Sequence, residues 1–338
     1  MSEIVRPTRD GIHGREYINT LVGLGRKLFS LPFSETGEPV LDAPKIIDIP
    51  IPILFGELPF GSVSPDVIEA MAGAARSLGT FIEIPVDTLD RHLETYAENI
   101  IPLLSPDRLE SAGQWIESAP IVELHDQPES VNALREIKKR HPETLVMIKV
   151  EMDEASTERT DVLTTEGADI IHLAADRNGN VHSRPRPDNV IGFMKDYVRS
   201  AHNNLVNKGR RNSITLLAGG GIAMAEHVPK AIICGADAVF IDIPLLLALE
   251  CRMCLRCREG LSCPVQIENI HPDWGKARIM NLVAAWRNQL LEILGAMGLR
   301  EVRRLRGEVG RAMFFEDLEA DTFGRIFGRR KNEVGLNP

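Results

Sequence analysis

The sequence predicts an α/β chain folded as a (β/α)8 barrel, a TIM barrel with a cysteine loop and a helical tail behind it. Two observations carry that expectation. Eight short apolar runs, rich in β-branched residues, recur between residues 45 and 243. Amphipathic helical patterns separate most of them. Eight strands, each followed by a crossover, match the barrel. A doubly wound open sheet uses the same alternation and is the competing architecture.

The strands are expected at "KIIDIPIPILF" (45–55), "TFIEIPV" (80–86), "IIPLL" (100–104), "PIVELHD" (120–126), "TLVMIKVEM" (144–152), "DIIHLAAD" (169–176), "SITLLAGG" (213–220) and "DAVFIDI" (237–243). Among the helices, "SPDVIEAMAGAARSLG" opens with Ser64 as a cap and Pro65 at the first helical position. "ESVNALREIKKRHP" ends in basic residues and a proline, and "MAEHVPKAIICGA" stops at Gly235. Residues 1–44 read as an irregular leader, 45–250 as the barrel, 251–270 as a cysteine loop and 271–338 as a helical tail. In that tail "GKARIMNLVAAWRNQLLEILGAM" stops at Gly298, and the arginine-rich "LREVRRLRGEVGR" reads as a solvated helix.

Composition narrows the function classes. The chain has 338 residues, 43% of them hydrophobic and 26% charged, enough to bury a core without covalent staples. A net charge of −9 argues against a general nucleic-acid surface. No apolar run reaches the ~18 residues of a spanning helix, so no membrane insertion is expected. The N-terminus has no apolar signal region, and the cytoplasm is the default location. Thiols stay reduced there, so clustered cysteines point to metal or redox chemistry.

Four of the five cysteines lie in "CRMCLRCREGLSCP": Cys251, Cys254, Cys257 and Cys263, spaced C-x2-C-x2-C-x5-C-P. A structural zinc site pairs two short knuckles across a gap of roughly 12–20 residues. No such gap exists here. The run is closer to the ferredoxin pattern whose thiolates wrap a four-iron cubane. A [4Fe–4S] cluster, or its [3Fe–4S] form, is therefore expected, with zinc and plain redox thiols as the alternatives. Cys234, alone in an apolar helix, reads as a small core residue.

The segment before the cysteines, "LLAGGGIAMAEHVPKAIICGADAVFIDIPLLLALECRMC", resembles the flavin-binding barrel of glutamate synthase. The resemblance extends to "LPFGSVSPDVIEAMAGAARSLGT" and to the tail "ARIMNLVAAWRNQLLEILGAMGLREVRRLRG", covering about residues 45–310. The four-cysteine motif resembles the archaeal-type branch. The resemblance implies FMN at the C-terminal ends of the strands, with the cluster beside it. It also implies a multisubunit redox complex, with an electron-donor flavoprotein or ferredoxin-type protein as partner.

Several positions depart from the family. Gly219, Gly220 and Gly221 retain the phosphate turn, but Ala223, Met224, Ala225 and Glu226 replace polar residues and Gly. Asp242 and Ile243 stand where the family has Gly-Thr. Glu123 is retained, His125 stands for a lysine, and Lys149 matches a lysine near the flavin. The loop "AADRNGNVHSRPRP" replaces a Gly-rich, Thr-containing one and offers Arg184 and Arg186 to a carboxylate ligand. Lys149, Glu123 and His125 are the catalytic candidates, with Glu151, His172 and Asp176 on the same strand ends. These departures set 2-oxoglutarate aside as substrate. Two functions follow: a glutamate-synthase-like subunit passing electrons between an iron–sulfur cluster and FMN, or a degenerate barrel without flavin that carries electrons or serves as scaffold.

Overall fold

In a computed structural model, residues 17–27, 33–38, 44–60, 64–176, 179, 181 and 192–308 are described. Arg184, Arg186 and His182 lie outside them. Eight parallel strands close a barrel: β3 (Ile53–Phe55), β4 (Ile82–Pro85), β5 (Ile100–Leu104), β6 (Ile121–His125), β7 (Leu145–Glu151), β8 (Ile170–Ala174), β9 (Thr215–Gly219) and β10 (Ala238–Ile241). The ring is completed by β10 on β3, with Val239 opposite Ile53 and Ile241 opposite Phe55. Each strand is therefore walled by barrel interior on one side and helices on the other, so most strand residues are buried. The eight expected strands are these eight.

The first is broken in two, and of the rest all but Ile100–Leu104 end one or two residues inside the expected bounds. "KIIDIPIPILF" does not run as one strand, because Pro50 and Pro52 lack the N–H a ladder needs. Residues before them form β2 (Ile46–Ile49), and residues after them enter the barrel as β3. β2 pairs antiparallel with β1 (Val22–Gly25), which lies within the leader read as irregular. This ribbon closes the N-terminal face. The Gly25 N–H donates to Thr215 Oγ1 (3.0 Å), whose hydroxyl donates to the Gly25 carbonyl (2.9 Å) at the start of β9. Gly25 has φ +121, and a Cβ there would meet the Lys45 carbonyl at 2.6 Å.

The helices follow their sequence signals. In α1 (Pro65–Leu78), Ser64 Oγ accepts from the Val67 N–H and Gly79 ends the helix in the left-handed conformation. α2 (Gly113–Ser118), α3 (Ser130–Arg140), α4 (Ser156–Glu166), α5 (Met194–Asn207), α6 (His227–Ile233) and α7 (Ile243–Ala248) complete the crossovers. α8 (Pro272–Ala296) closes over α1, where Gly275 admits Ala70: a Cβ on Gly275 would lie 2.8 Å from the Ala70 methyl. His271 caps α8 by accepting from the Asp273 N–H. Among the described residues no helix is long and apolar enough to cross a membrane.

The described part of the arginine-rich segment, to residue 308, is not a solvated helix. It makes one short 3-10 turn, Val302–Leu305, with both end residues fully buried. Arg306 then reaches Asp237 Oδ1 at 2.6 Å. Asp237, from the "GAD" triplet, also accepts from Arg211 Nη2 (2.8 Å) and the Leu216 N–H (2.9 Å). Gly235 of the triplet packs on His202, which a Cβ would overlap at 2.3 Å. His202 accepts from Arg211 Nε, which fixes it in this packing. The triplet thus ties the N-terminal face together, where barrel side chains serve stability.

Burial opposes the Asp237 charge, but Arg211 and Arg306 outweigh it and hold the carboxyl down at about 2. Its contribution is complete above the ordinary value of 3.8 and is lost as pH falls through about 2. Asp237→Ala strands Arg211, which is 4% exposed, without its counter-ion. Denaturant unfolding at neutral pH should show a loss of about 3–5 kcal/mol.

Candidate functional site

Alternate strands of such a barrel send side chains into a common interior layer. Here β4, β6, β8 and β10 supply Glu83, Glu123, His172 and Phe240. The His172 ring stacks on Phe240 with centroids 4.1 Å apart. Glu83, Glu123 and His172 are 2%, 0% and 3% exposed. Apolar residues normally fill such positions, and buried charge needs a partner. Lys149, from β7, provides one: Nζ donates to Glu83 Oε1 at 2.5 Å. His172 Nδ1 lies 2.8 Å from Glu123 Oε1 and 3.8 Å from Glu83 Oε2.

Burial and mutual repulsion push the Glu83 carboxyl up, against the pull of Lys149. Burial raises Glu123 to about 7. It lowers His172 to about 3, so the imidazole is neutral. Lys149 is desolvated too, yet the two carboxyls raise its pKa above the ordinary lysine value.

The mouth above this layer holds a pocket of about 760 Å³, lined by Glu57, His125, Lys149, Glu151, Asp153 and Arg159 among others. Of the sequence candidates, Lys149 and His125 line it, while Glu123 lies beneath in the buried layer. Arg159 is held by Asp126 in a bidentate pair (2.8 and 2.6 Å). Both cations of the pocket wall are thus already engaged. Glu83 was missed in the sequence. Its signal was an acid in the middle of "FIEIP", where neighbours on both sides are apolar.

At the far side, Gly220 and Gly221 turn with φ of +89 and +69. A Cβ on Gly220 would meet the Ala175 and Asp176 carbonyls at 2.4 and 2.6 Å, so this turn needs glycine. Two neighbouring donors are filled by the chain itself. Asp242 Oδ1 accepts from the Ile243 N–H at 2.6 Å, capping α7. His227 Nδ1 accepts from the Ala223 N–H at 3.2 Å, which makes it a loop-binding residue rather than a free surface histidine. The glycine turn suits an FMN phosphate.

Past α7, Cys251, Cys254, Cys257 and Cys263 line one pocket with Phe60, Leu255, Pro264, Val265 and Ile267. None is disulfide-bonded. Cys234 is buried at 3% exposure in the core, as its setting implied. Among the described residues, the non-glycine residues with positive φ are Glu250, Met253, Leu255 and Gln266, all in this loop. Left-handed backbone of this kind is costly and persists where something over-determines it. Four thiols converging on one pocket, with Arg252 and Arg256 to offset thiolate charge, fit an iron–sulfur cluster.

Residues 108–300 match the family model described as the conserved region in glutamate synthase. The chain belongs to the glutamate synthase family. Family membership makes it a glutamate-synthase-like oxidoreductase. It is 24% identical to the archaeal glutamate synthase [NADPH] of Archaeoglobus fulgidus, over 96% of this chain and 75% of that one. It is also 24% identical to the archaeal-type glutamate synthase [NADPH] of Thermotoga neapolitana, over 90% and 71%. Among solved structures, a mandelate oxidase variant with a monooxide FMN adduct shares the fold, with TM-score 0.51, 16% identity and coverage of 85% and 87%. The same variant with benzaldehyde superposes with TM-score 0.54, at 16% identity and 85% coverage of each chain.

The buried Glu123 gives a pH signature. An unfolded chain ionises it near 4.5, while the folded protein holds the proton up to about 7. Its contribution to stability is therefore complete below pH 4.5, declines as pH rises toward 7, and is flat above. Glu123→Gln should remove that decline from the dependence of melting temperature on pH.

Proposed function

We propose that this chain is a redox subunit of a glutamate-synthase-type complex, with an iron–sulfur cluster on Cys251, Cys254, Cys257 and Cys263 beside the barrel mouth. The single observation that carries the reading is that those four cysteines line one pocket, on a loop with left-handed residues between them. Such a cluster supplies one-electron transfer. The chain's part is to hold it next to the C-terminal face, where Phe60 from the loop after β3 also lines the pocket. The partner in this reading is an electron-donor flavoprotein or a ferredoxin-type protein, and the compartment is the cytoplasm.

FMN is the first candidate for the mouth. Family membership and the Gly219–Gly221 turn support it, and Lys149 lines the mouth pocket. The second reading is a barrel without flavin whose working part is the cluster. Asp242 and His227, which fill the donors beside the phosphate turn, favour it. Under either reading 2-oxoglutarate is a poor ligand. Its two carboxylates need cations, and Lys149 and Arg159 already face Glu83 and Asp126 in a pocket that also carries Glu57, Glu151 and Asp153.

Anaerobic purification followed by iron, sulfide and flavin assays separates these readings. Iron and sulfide with FMN support the first; iron and sulfide without flavin support the second; zinc alone sinks both. Cys257→Ser should lose nearly all cluster iron while the barrel stays folded by circular dichroism. In FMN titrations, Asp242→Gly should bind the flavin about tenfold more tightly or better than the parent chain.

A further inference from the structure

The buried layer does not balance its own charge. Glu83 and Glu123 bring two carboxyl groups, Lys149 one ammonium, and His172 is a neutral ring. One negative charge would remain in the barrel interior if both carboxyls were ionised, and an unpaired buried charge is costly. The polar contacts also stop short. Glu83 Oε2 and Glu123 Oε2, both fully buried, have no hydrogen-bond partner. These oxygens belong to neighbouring groups: Glu83 Oε2 lies 3.8 Å from His172 Nδ1, the atom that meets Glu123 at 2.8 Å. One oxygen of each carboxyl lies within 4.8 Å of the other and of a His172 ring nitrogen.

We propose that Glu83 and Glu123 share one proton, and that with Lys149 and His172 they form a proton-holding site beneath the mouth pocket. The shared proton removes the excess charge and gives both orphan oxygens a partner at once. The contacts then run in one line. Lys149 donates to Glu83 Oε1, the shared proton joins Glu83 to Glu123, and His172 Nδ1–H donates to Glu123 Oε1.

Lys149 faces Glu83 and favours its ionised form, while burial raises both carboxyls. Three donor atoms from Glu83, Glu123 and His172 within 4.8 Å of one another also resemble a metal site. A divalent ion there would stand against the Lys149 ammonium and leave the interior positive, whereas a proton leaves it neutral.

Lys149, 19% exposed at its side chain, is the member that also lines the pocket. A ligand presenting an anionic or basic oxygen or nitrogen to Lys149 weakens its hold on Glu83, and the shared proton shifts toward Glu83 in response. Other ionisable groups facing this cluster are Glu57, His125 and Asp242. The site requires neither cluster nor flavin, so its failure would leave the redox reading standing.

Infrared spectroscopy of the full chain in heavy water, at about pH 6, tests it. The wild type should show a protonated-carboxyl carbonyl band that Glu123→Gln loses. Because an amide mimics the protonated acid without needing to take up a proton, Glu123→Gln should melt no lower than the parent at that pH. Glu83→Gln, which strips Lys149 of its counter-ion, should melt well below it. An unchanged carboxyl band in folded Glu123→Gln would overturn the proposal. So would stoichiometric uptake of Mn2+ or Zn2+ by the dialysed wild type that Glu123→Gln abolishes.

Discussion

Closure of the sheet by β10 on β3 is the constraint that organises this protein. A closed parallel sheet has no edge and no solvent-facing side. A polar side chain on an inward position can find partners only on other strands of the same ring. Glu83, Glu123, Lys149 and His172 come from four different strands, yet each is within reach of another. The same closure explains the N-terminal face. There the β1–β2 ribbon and the Asp237–Arg211–Arg306 cluster cover the barrel floor and leave chemistry to the opposite end.

The C-terminal end carries two unlike sites. The cysteine loop is built by backbone: residues forced into left-handed conformations alternate with the thiols, and the strain makes sense if a cluster over-determines the loop. The barrel mouth is built by side chains from rigid strands. Between them stands the glycine turn, whose form is kept by contact with the Ala175 and Asp176 carbonyls. Its neighbouring donors, however, bind Asp242 and His227. A phosphate and a carboxylate compete for the same kind of amide donor, so retention of the turn and retention of its ligand are separate matters.

This separation reconciles family membership with the unusual mouth. The match over residues 108–300 covers β6 to β10, the glycine turn and the cysteines. The ligand end of this chain has its own arrangement: Asp242 caps α7, Glu83 sits in the interior layer, and paired cations line an acidic pocket. The cysteine loop lies within the glutamate synthase match, and the ligand end follows its own electrostatics.

Much of this was legible in the chain itself. Eight apolar runs with crossovers specify the barrel because a buried parallel strand has an apolar signature of its own. Ser64, Pro65 and Gly79 specify the ends of α1 because capping is a local matter, and the cysteine spacing narrows the metal chemistry for the same reason. Tertiary structure alone decided that Glu83 meets Lys149 across 66 residues. It turned the Asp of "GAD" into a floor pin, folded the arginine-rich tail against it, and placed a strand in the leader. Each of these depends on which side chains barrel closure brings face to face, and no local pattern carries that information.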